Sequence, residues 1–198
     1  MDPSTGGLRF PSPDWQAPLD LDAQVAAVPP SHTVRGMSIN GVLDAMAAMG
    51  RPLRDQPRRV AFKDHPQAEM VAVLVQAARA LPDLPPREAL RRVGQAHLEK
   101  LQENMVMRVM FAGLGQSLGV QAAAALLPRA YRAASSHEQV EVLANEPRRL
   151  MLRYRDCYSF ADCFQVGVLE GGLRNFKVTP RLGVRVVSRA ETELELAW

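Results

Sequence analysis

The chain has 198 residues, 47% of them hydrophobic and 23% charged, with a formal net charge of +3 at neutral pH. That length suits one domain with a real core, and that balance argues against a mostly disordered chain and gives no sign of the concentrated basic face that nucleic acid requires. Arginine outnumbers lysine 21 to 3, a bias that reads as genome composition rather than function.

Residues 1–33 contain six prolines and no sustained helical period. They read as an irregular, Pro-rich arm with a short helix over 20–27. No basic segment precedes an apolar run at the N-terminus, and no stretch approaches the roughly 18 apolar residues of a membrane span. The expected location is the cytoplasm, with no membrane span.

A single domain is expected over 34–198. In VRGMSINGVLDAMAAMG, Ile39, Val42, Leu43 and Met46 recur at helical spacing, and Gly50 and Pro52 stop the helix. RPLRDQPRR reads as a basic linker. The next helix starts with Pro66 in its first turn, and Met70, Val73, Leu74, Ala77, Ala78 and Leu81 form its apolar face. Val71 and Val75 widen that face, which predicts burial on nearly all sides. A third helix begins near Pro86, with Leu90, Val93, Leu98 and Leu101 as its stripe, and is expected to reach about residue 113. A fourth runs over 116–134, where Pro128 should kink or divide it.

After Ser136 the period changes to two. Leu150, Leu152 and Tyr154 alternate with Met151, Arg153 and Arg155, and NEPR at 145–148 supplies a hairpin turn. A second hairpin closes the chain, with Leu194, Leu196 and Trp198 alternating with Glu193 and Glu195. Between the hairpins, residues 159–176 read as a helix despite Gly167, Gly171 and Gly172. Each interior glycine costs a helix about 1 kcal/mol relative to alanine. Gly167 and Gly171 share a face, so the cost is expected to permit close packing against a neighbour. Glu170 is expected on the exposed side, the other reading being a bond to a nearby arginine. The order of elements predicts an α+β fold, with N-terminal helices packed on a small antiparallel sheet of two hairpins separated by the Gly-rich helix.

The segment from YSFADCF to ELELAW resembles the C-terminal half of the 4-vinyl-reductase-type domain, in which a hairpin leads into a helix carrying a cysteine and a G-x-L-E-G-like stretch, followed by a terminal hairpin. From PPSHTVRGM to Trp198 the chain also resembles a myxobacterial paralogous family of similar length and unknown function. The matching motifs are VRGM and NGVL within 34–43, GVLEG at 167–171 and the terminal ELELAW. The resemblance implies a fold shared with transport-particle subunits and with heme nitric-oxide/oxygen-binding domains.

The heme-binding relatives use a helical histidine and a Y-x-S-x-R propionate clamp. Here His97 is helical, no Y-x-S-x-R occurs, and His97 is expected at the surface. Cys157 and Cys163 do not supply the four ligands of a structural zinc site and read as small buried or half-buried residues. There is no G-x-S-x-G, Walker loop or G-x-G-x-x-G. His32, His65, His97 and His137 show no link to a nucleophile. Catalytic residues, cofactors and metal ligands are therefore all assigned as none. GLGQSLG at 113–119 reads as an inter-helix turn. Met105, Met107, Met110 and Phe111 read as core, as the lining of an adaptable apolar pocket, or as a dimer face. Arg153 and Arg155 are expected to meet Glu193 and Glu195 across the sheet rather than an anionic partner.

These readings predict a non-enzymatic regulatory module, a sensor or adaptor binding a partner protein or a small apolar ligand. The alternative is an enzyme or carrier acting on a hydrophobic or tetrapyrrole-like molecule. The apolar surplus of the helix at 66–81 and of 105–111 predicts pairing through the N-terminal helices, as a homodimer or with a homologous paralogue.

Overall fold

The computed structural model describes residues 7–103 and 119–198. Met105, Met107, Met110 and Phe111 lie outside them, as does the 113–118 part of the predicted turn. The described elements follow the chain as α1 (Leu21–Ala26), β1 (Thr33–Arg35), α2 (Gly36–Ala48), β2 (Asp64–Pro66), α3 (Gln67–Arg79) and α4 (Pro86–Glu103), then α5 (Gly119–Ala134), β3 (Gln139–Glu146), β4 (Arg149–Arg155), α6 (Phe164–Arg174), β5 (Arg181–Val186) and β6 (Thr192–Ala197).

The helical half builds around α3. Val71, Val73, Leu74, Val75 and Ala77 are at most 3% exposed, because α1, α2 and α4 all pack against this helix. The part of the apolar surplus that lies on this helix is therefore covered by the chain's own helices; the part at 105–111 lies outside the described residues. Asp20 caps α1 by accepting from the Ala23 N–H. The start of α2 has no side-chain cap. Its first N–H groups instead donate to the carbonyls of Lys63 and Ala61, so the chain just beyond the segment read as a linker folds back and satisfies donors that a helix end leaves open. That return pairs β1 with β2 antiparallel, a two-stranded sheet invisible to periodicity because each strand has only three residues. At the other end, Gly50 adopts φ +73° and ends α2.

The two hairpins form one four-stranded antiparallel sheet in the order β3-β4-β6-β5, joined through β4 and β6. On its inner face Leu150, Leu152, Tyr154, Leu194 and Leu196 pack with Val120 and Ala124 of α5 and with Val166, Leu169 and Leu173 of α6. Helix α5 continues through Pro128. The glycine helix proper is shorter than expected, beginning at Phe164 after a series of turns.

The outer face carries an ion-pair network. Arg153 pairs with Glu193 at 2.6 Å, as the alternation implies, and Arg185 joins the same carboxylate. Glu195 pairs with Arg149 at 2.6 Å, while Arg155 lies beside Glu141 and Glu191. Glu193 and Glu195 are only 3% and 1% exposed, so this face of β6 is covered as well. Part of their cover is the N-terminal arm, whose Arg9 N–H donates to Glu195 at 2.5 Å.

Candidate functional site

The helical half and the sheet meet along two seams. The first is α4 against α6. Their backbones approach so closely that a β-carbon added at Gly94 would lie 2.1 Å from the Phe164 carbonyl oxygen, and one at Gly167 would lie 1.9 Å from that of Arg91. Gly171 faces Gln95 in the same way at 2.9 Å. Glu170, read as exposed, is 8% exposed. Its carboxylate takes two hydrogen bonds of 2.7 Å from the Arg91 guanidinium and one of 2.8 Å from Gln95. The burial follows from the flanking glycines: without side chains at 167 and 171, α6 approaches so near that the residue between them faces α4. The Arg91 guanidinium also lies over the Trp15 ring, 4.6 Å from its centre, so one arginine links arm, α4 and α6.

The second seam is a buried polar cluster. Residues 156–163 turn the chain from β4 into α6, and Asp156 and Phe160 in that turn adopt φ of 52° and 51°. Such left-handed backbone is uncommon for residues other than glycine and is held by its surroundings. Phe160 is 2% exposed, anchored in the helical core. The turn brings Cys157 and Ser159 beneath Glu138, at the start of the sheet. Gln67, at the start of α3, donates to Glu138 at 2.7 Å, Ser159 donates to the same oxygen, and Cys157 Sγ lies 3.8 Å from Ser159 Oγ. Beside them the Tyr131 hydroxyl donates to Gln165 Oε1 at 2.6 Å and lies 3.3 Å from the Tyr154 hydroxyl. At the margin, the rings of His32 and His137 stack 3.9 Å apart and 9° from parallel. His32 Nδ1 and Gln67 Oε1 are buried without hydrogen-bond partners.

The electrostatics of this cluster favour uncharged forms. Burial raises the pKa of Glu138 against the opposing hydrogen bonds from Ser159, Cys157 and Gln67. Burial, then the Glu138 charge, pushes the Cys157 thiol well up, and burial does the same to Tyr131 and Tyr154. Burial and the neighbouring His137 lower His32. Cys163, also free and fully buried, is pushed up by burial and by Asp162. Neither thiol has the open, electropositive surroundings that make a cysteine reactive.

A family model matches residues 27–198 and is described as "Protein of unknown function (DUF2378)". The chain belongs to that family. No curated protein matches it. Among solved structures the fold is similar to the Fe(II) unliganded H-NOX protein from K. algicida, with a TM-score of 0.59 and 11% identity over 82% of this chain and 95% of that one. It is also similar to the H-NOX protein from S. oneidensis in the Fe(II)NO state, with a TM-score of 0.58 and 14% identity over 82% and 97% of the two chains. An oxygen-binding H-NOX domain related to soluble guanylate cyclases matches with a TM-score of 0.51 and 13% identity, over 82% and 91%. At such identities the shared property is the fold.

The heme implied by that fold group does not fit the described residues. All four histidines, both cysteines and all three tyrosines lie among them, and none falls in 104–118. His97 is buried, not at the surface as expected. Its ring packs on Phe164 at 5.4 Å, its pKa falls to about 4 by burial, and its one favourable backbone contact is with Gly41. Its Nδ1 is unpartnered, but among the described residues its ring faces Phe164, and the backbones of α4 and α6 touch at Gly94 and Phe164 beside it. His32 and His137 cover each other's faces, and His65 sits on the separate small sheet beside Glu69. Among the described residues, no group of three or more His, Cys, Asp or Glu side chains is placed to hold a metal ion, and no helix is long and apolar enough to cross a membrane.

The spacing of Gly167 and Gly171 pointed to the first seam without naming its partner helix, and no residue pattern pointed to the second. The Glu138 cluster joins positions 67, 131, 138, 157, 159 and 165, and only the turn at 156–163 brings them together.

Proposed function

We propose that the chain is a non-enzymatic regulatory module, a sensor or adaptor that receives a small apolar ligand or a protein partner. One observation carries this reading: the titratable groups gathered between helices and sheet are turned inward and bonded to one another, and burial disfavours the charged form of each. An acid, base or nucleophile needs access to substrate and a pKa near its working range. Cys157, Tyr131 and Tyr154 have neither, Glu138 is buried away from any substrate, and together they act as a polar clasp between the two halves. A clasp in which every element leans on the next suits the transmission of a change in one half to the other. The sensor character implied by the fold group agrees with this reading and supports it by analogy.

Native mass spectrometry of the protein purified from its own host tests the proposal. The expected spectrum contains the intact chain with a non-covalent apolar ligand or a stoichiometric protein partner. A co-purifying small molecule that the protein converts to a product of different mass would replace the sensor by an enzyme.

A further inference from the structure

The N-terminal arm lies outside the segment matched by the family model, which begins at residue 27, and it lies on the sheet as a bound peptide would. Three contacts define its seat. The N–H groups of Arg9 and Phe10 both donate to one oxygen of Glu195, at 2.5 and 3.3 Å. The Pro11 carbonyl accepts from the Val184 N–H at 2.9 Å, on the edge of β5 that faces away from β6. Phe10 lies over Gly183, where a β-carbon would come within 2.9 Å of the Phe10 carbonyl oxygen and 3.1 Å of its Cβ. Arg185 closes the slot from the side, its guanidinium 5.2 Å from the centre of the Phe10 ring.

Each contact belongs to peptide recognition. An open strand edge offers main-chain hydrogen bonds to an extended segment, and a pocket takes an alternate side chain. The carboxylate that captures two successive N–H groups is nine-tenths buried or more, with Arg149 on its other oxygen. Glycine at 183 lets the backbone and Cβ of residue 10 lie directly against β5, and the Arg185 guanidinium beside the ring favours an aromatic side chain there. Proline at 11 removes an N–H that this seat would not satisfy and keeps the segment extended.

The geometry points to a docking groove, made by Gly183, Val184, Arg185 and Glu195, for an extended peptide of a partner protein, with the arm's Arg9–Phe10–Pro11 as its occupant in cis. The partner segment has an aromatic residue followed by proline, preceded by a residue with a free N–H. The arm is then an autoinhibitory strap, since an intramolecular occupant competes at an effective concentration that a free peptide in solution rarely reaches. The groove stands or falls independently of what the polar seam binds.

A fluorescein-labelled peptide of residues 7–17, GLRFPSPDWQA, added to the full-length protein reads the groove by anisotropy. The wild-type chain is expected to bind it weakly. The Phe10→Ala chain, whose own arm has lost its anchor, is expected to bind at least about tenfold more tightly. Adding Gly183→Val to Phe10→Ala should abolish that gain while the circular dichroism spectrum stays that of the wild type. Equal binding by wild type and Phe10→Ala overturns the proposal. So does a Phe10→Ala chain that no longer folds, because the arm would then be part of the core. Concentration-dependent dimers of the wild type that disappear in Phe10→Ala would assign the groove to a second copy and overturn the partner-protein assignment.

Discussion

The carbonyl oxygen of Arg91 occupies the place where a β-carbon of Gly167 would have to go, the two being 1.9 Å apart. Backbone lies against backbone there, so a larger residue can be admitted only by separating α4 from α6. Gly167→Ala is expected to destabilise the protein by about 3 kcal/mol or more, at or above the upper end of ordinary overpacking, and Gly94→Ala to behave alike. Gly171→Leu should cost a few kcal/mol. Gly172 faces only the end of the Leu98 side chain, at 3.1 Å, so Gly172→Ala should be neutral or gain up to about 1 kcal/mol from helix propensity. Urea denaturation of the four variants gives the order. A Gly167→Ala variant as stable as the wild type would show that the seam is not closed in solution.

Glu170 and Arg91 form the ion pair within that seam, with side-chain exposures of 10% and 23%. Removing one partner strands the other. Glu170→Ala should cost about 2–3 kcal/mol, below the full figure for a buried pair because Arg91 is partly solvated. The double variant with Arg91→Met should recover part of the loss. A strictly additive double-mutant cycle would mean that the pair contributes no coupling.

Stability should depend on pH with two opposing slopes. The folded pKa of His97 is lowered to about 4, so the unfolded chain takes up its proton first as pH falls. Stability from this group is fully present above the unfolded value near 6.5 and is lost as pH falls toward 4, by about 3 kcal/mol at most. Lowering of the His32 pKa acts in the same direction. Raising of the Glu138 pKa acts oppositely: its contribution is present below the ordinary carboxyl value and lost as pH rises through the folded one. Denaturation at a series of pH values should therefore show a flatter acid limb for His97→Leu than for wild type, and Glu138→Gln should relieve the loss on the rising side. An acid limb unchanged in His97→Leu would exclude His97 as its source.

The protein mixed with hemin is expected to show no stable Soret band after gel filtration, and elemental analysis to show no stoichiometric zinc. The basis is the placement of the histidines and cysteines among packed side chains and touching backbones. A Soret band that survives gel filtration and is lost in His97→Ala would mean that α4 and α6 part to admit the ring. Zinc near one equivalent, lost in Cys163→Ser, would overturn the structural reading of that thiol.

Periodicity was enough to locate the long elements. Ile39, Val42 and Met46, the apolar run from Met70 to Ala78, and the alternation of Leu150, Leu152 and Tyr154 each announce their period locally, because burial of one face is written into spacing along the chain. The spacing of Gly167 and Gly171 likewise marked a face without side chains. What that face met, and what stood beside it, lay beyond local pattern. Glu170 and His97 were assigned to solvent on the ordinary habits of their residue types, and both are buried because α4 comes to rest on α6. The β1–β2 pair escaped notice because three residues carry no period. The Glu138 cluster depends on left-handed backbone at Asp156 and Phe160, which no propensity favours and only the surrounding packing enforces. Sequence by itself thus determined the longer helices and strands and their apolar faces, since those are short-range matters of spacing. Tertiary structure alone decided which polar groups share the interior, since that depends on contacts between residues tens of positions apart.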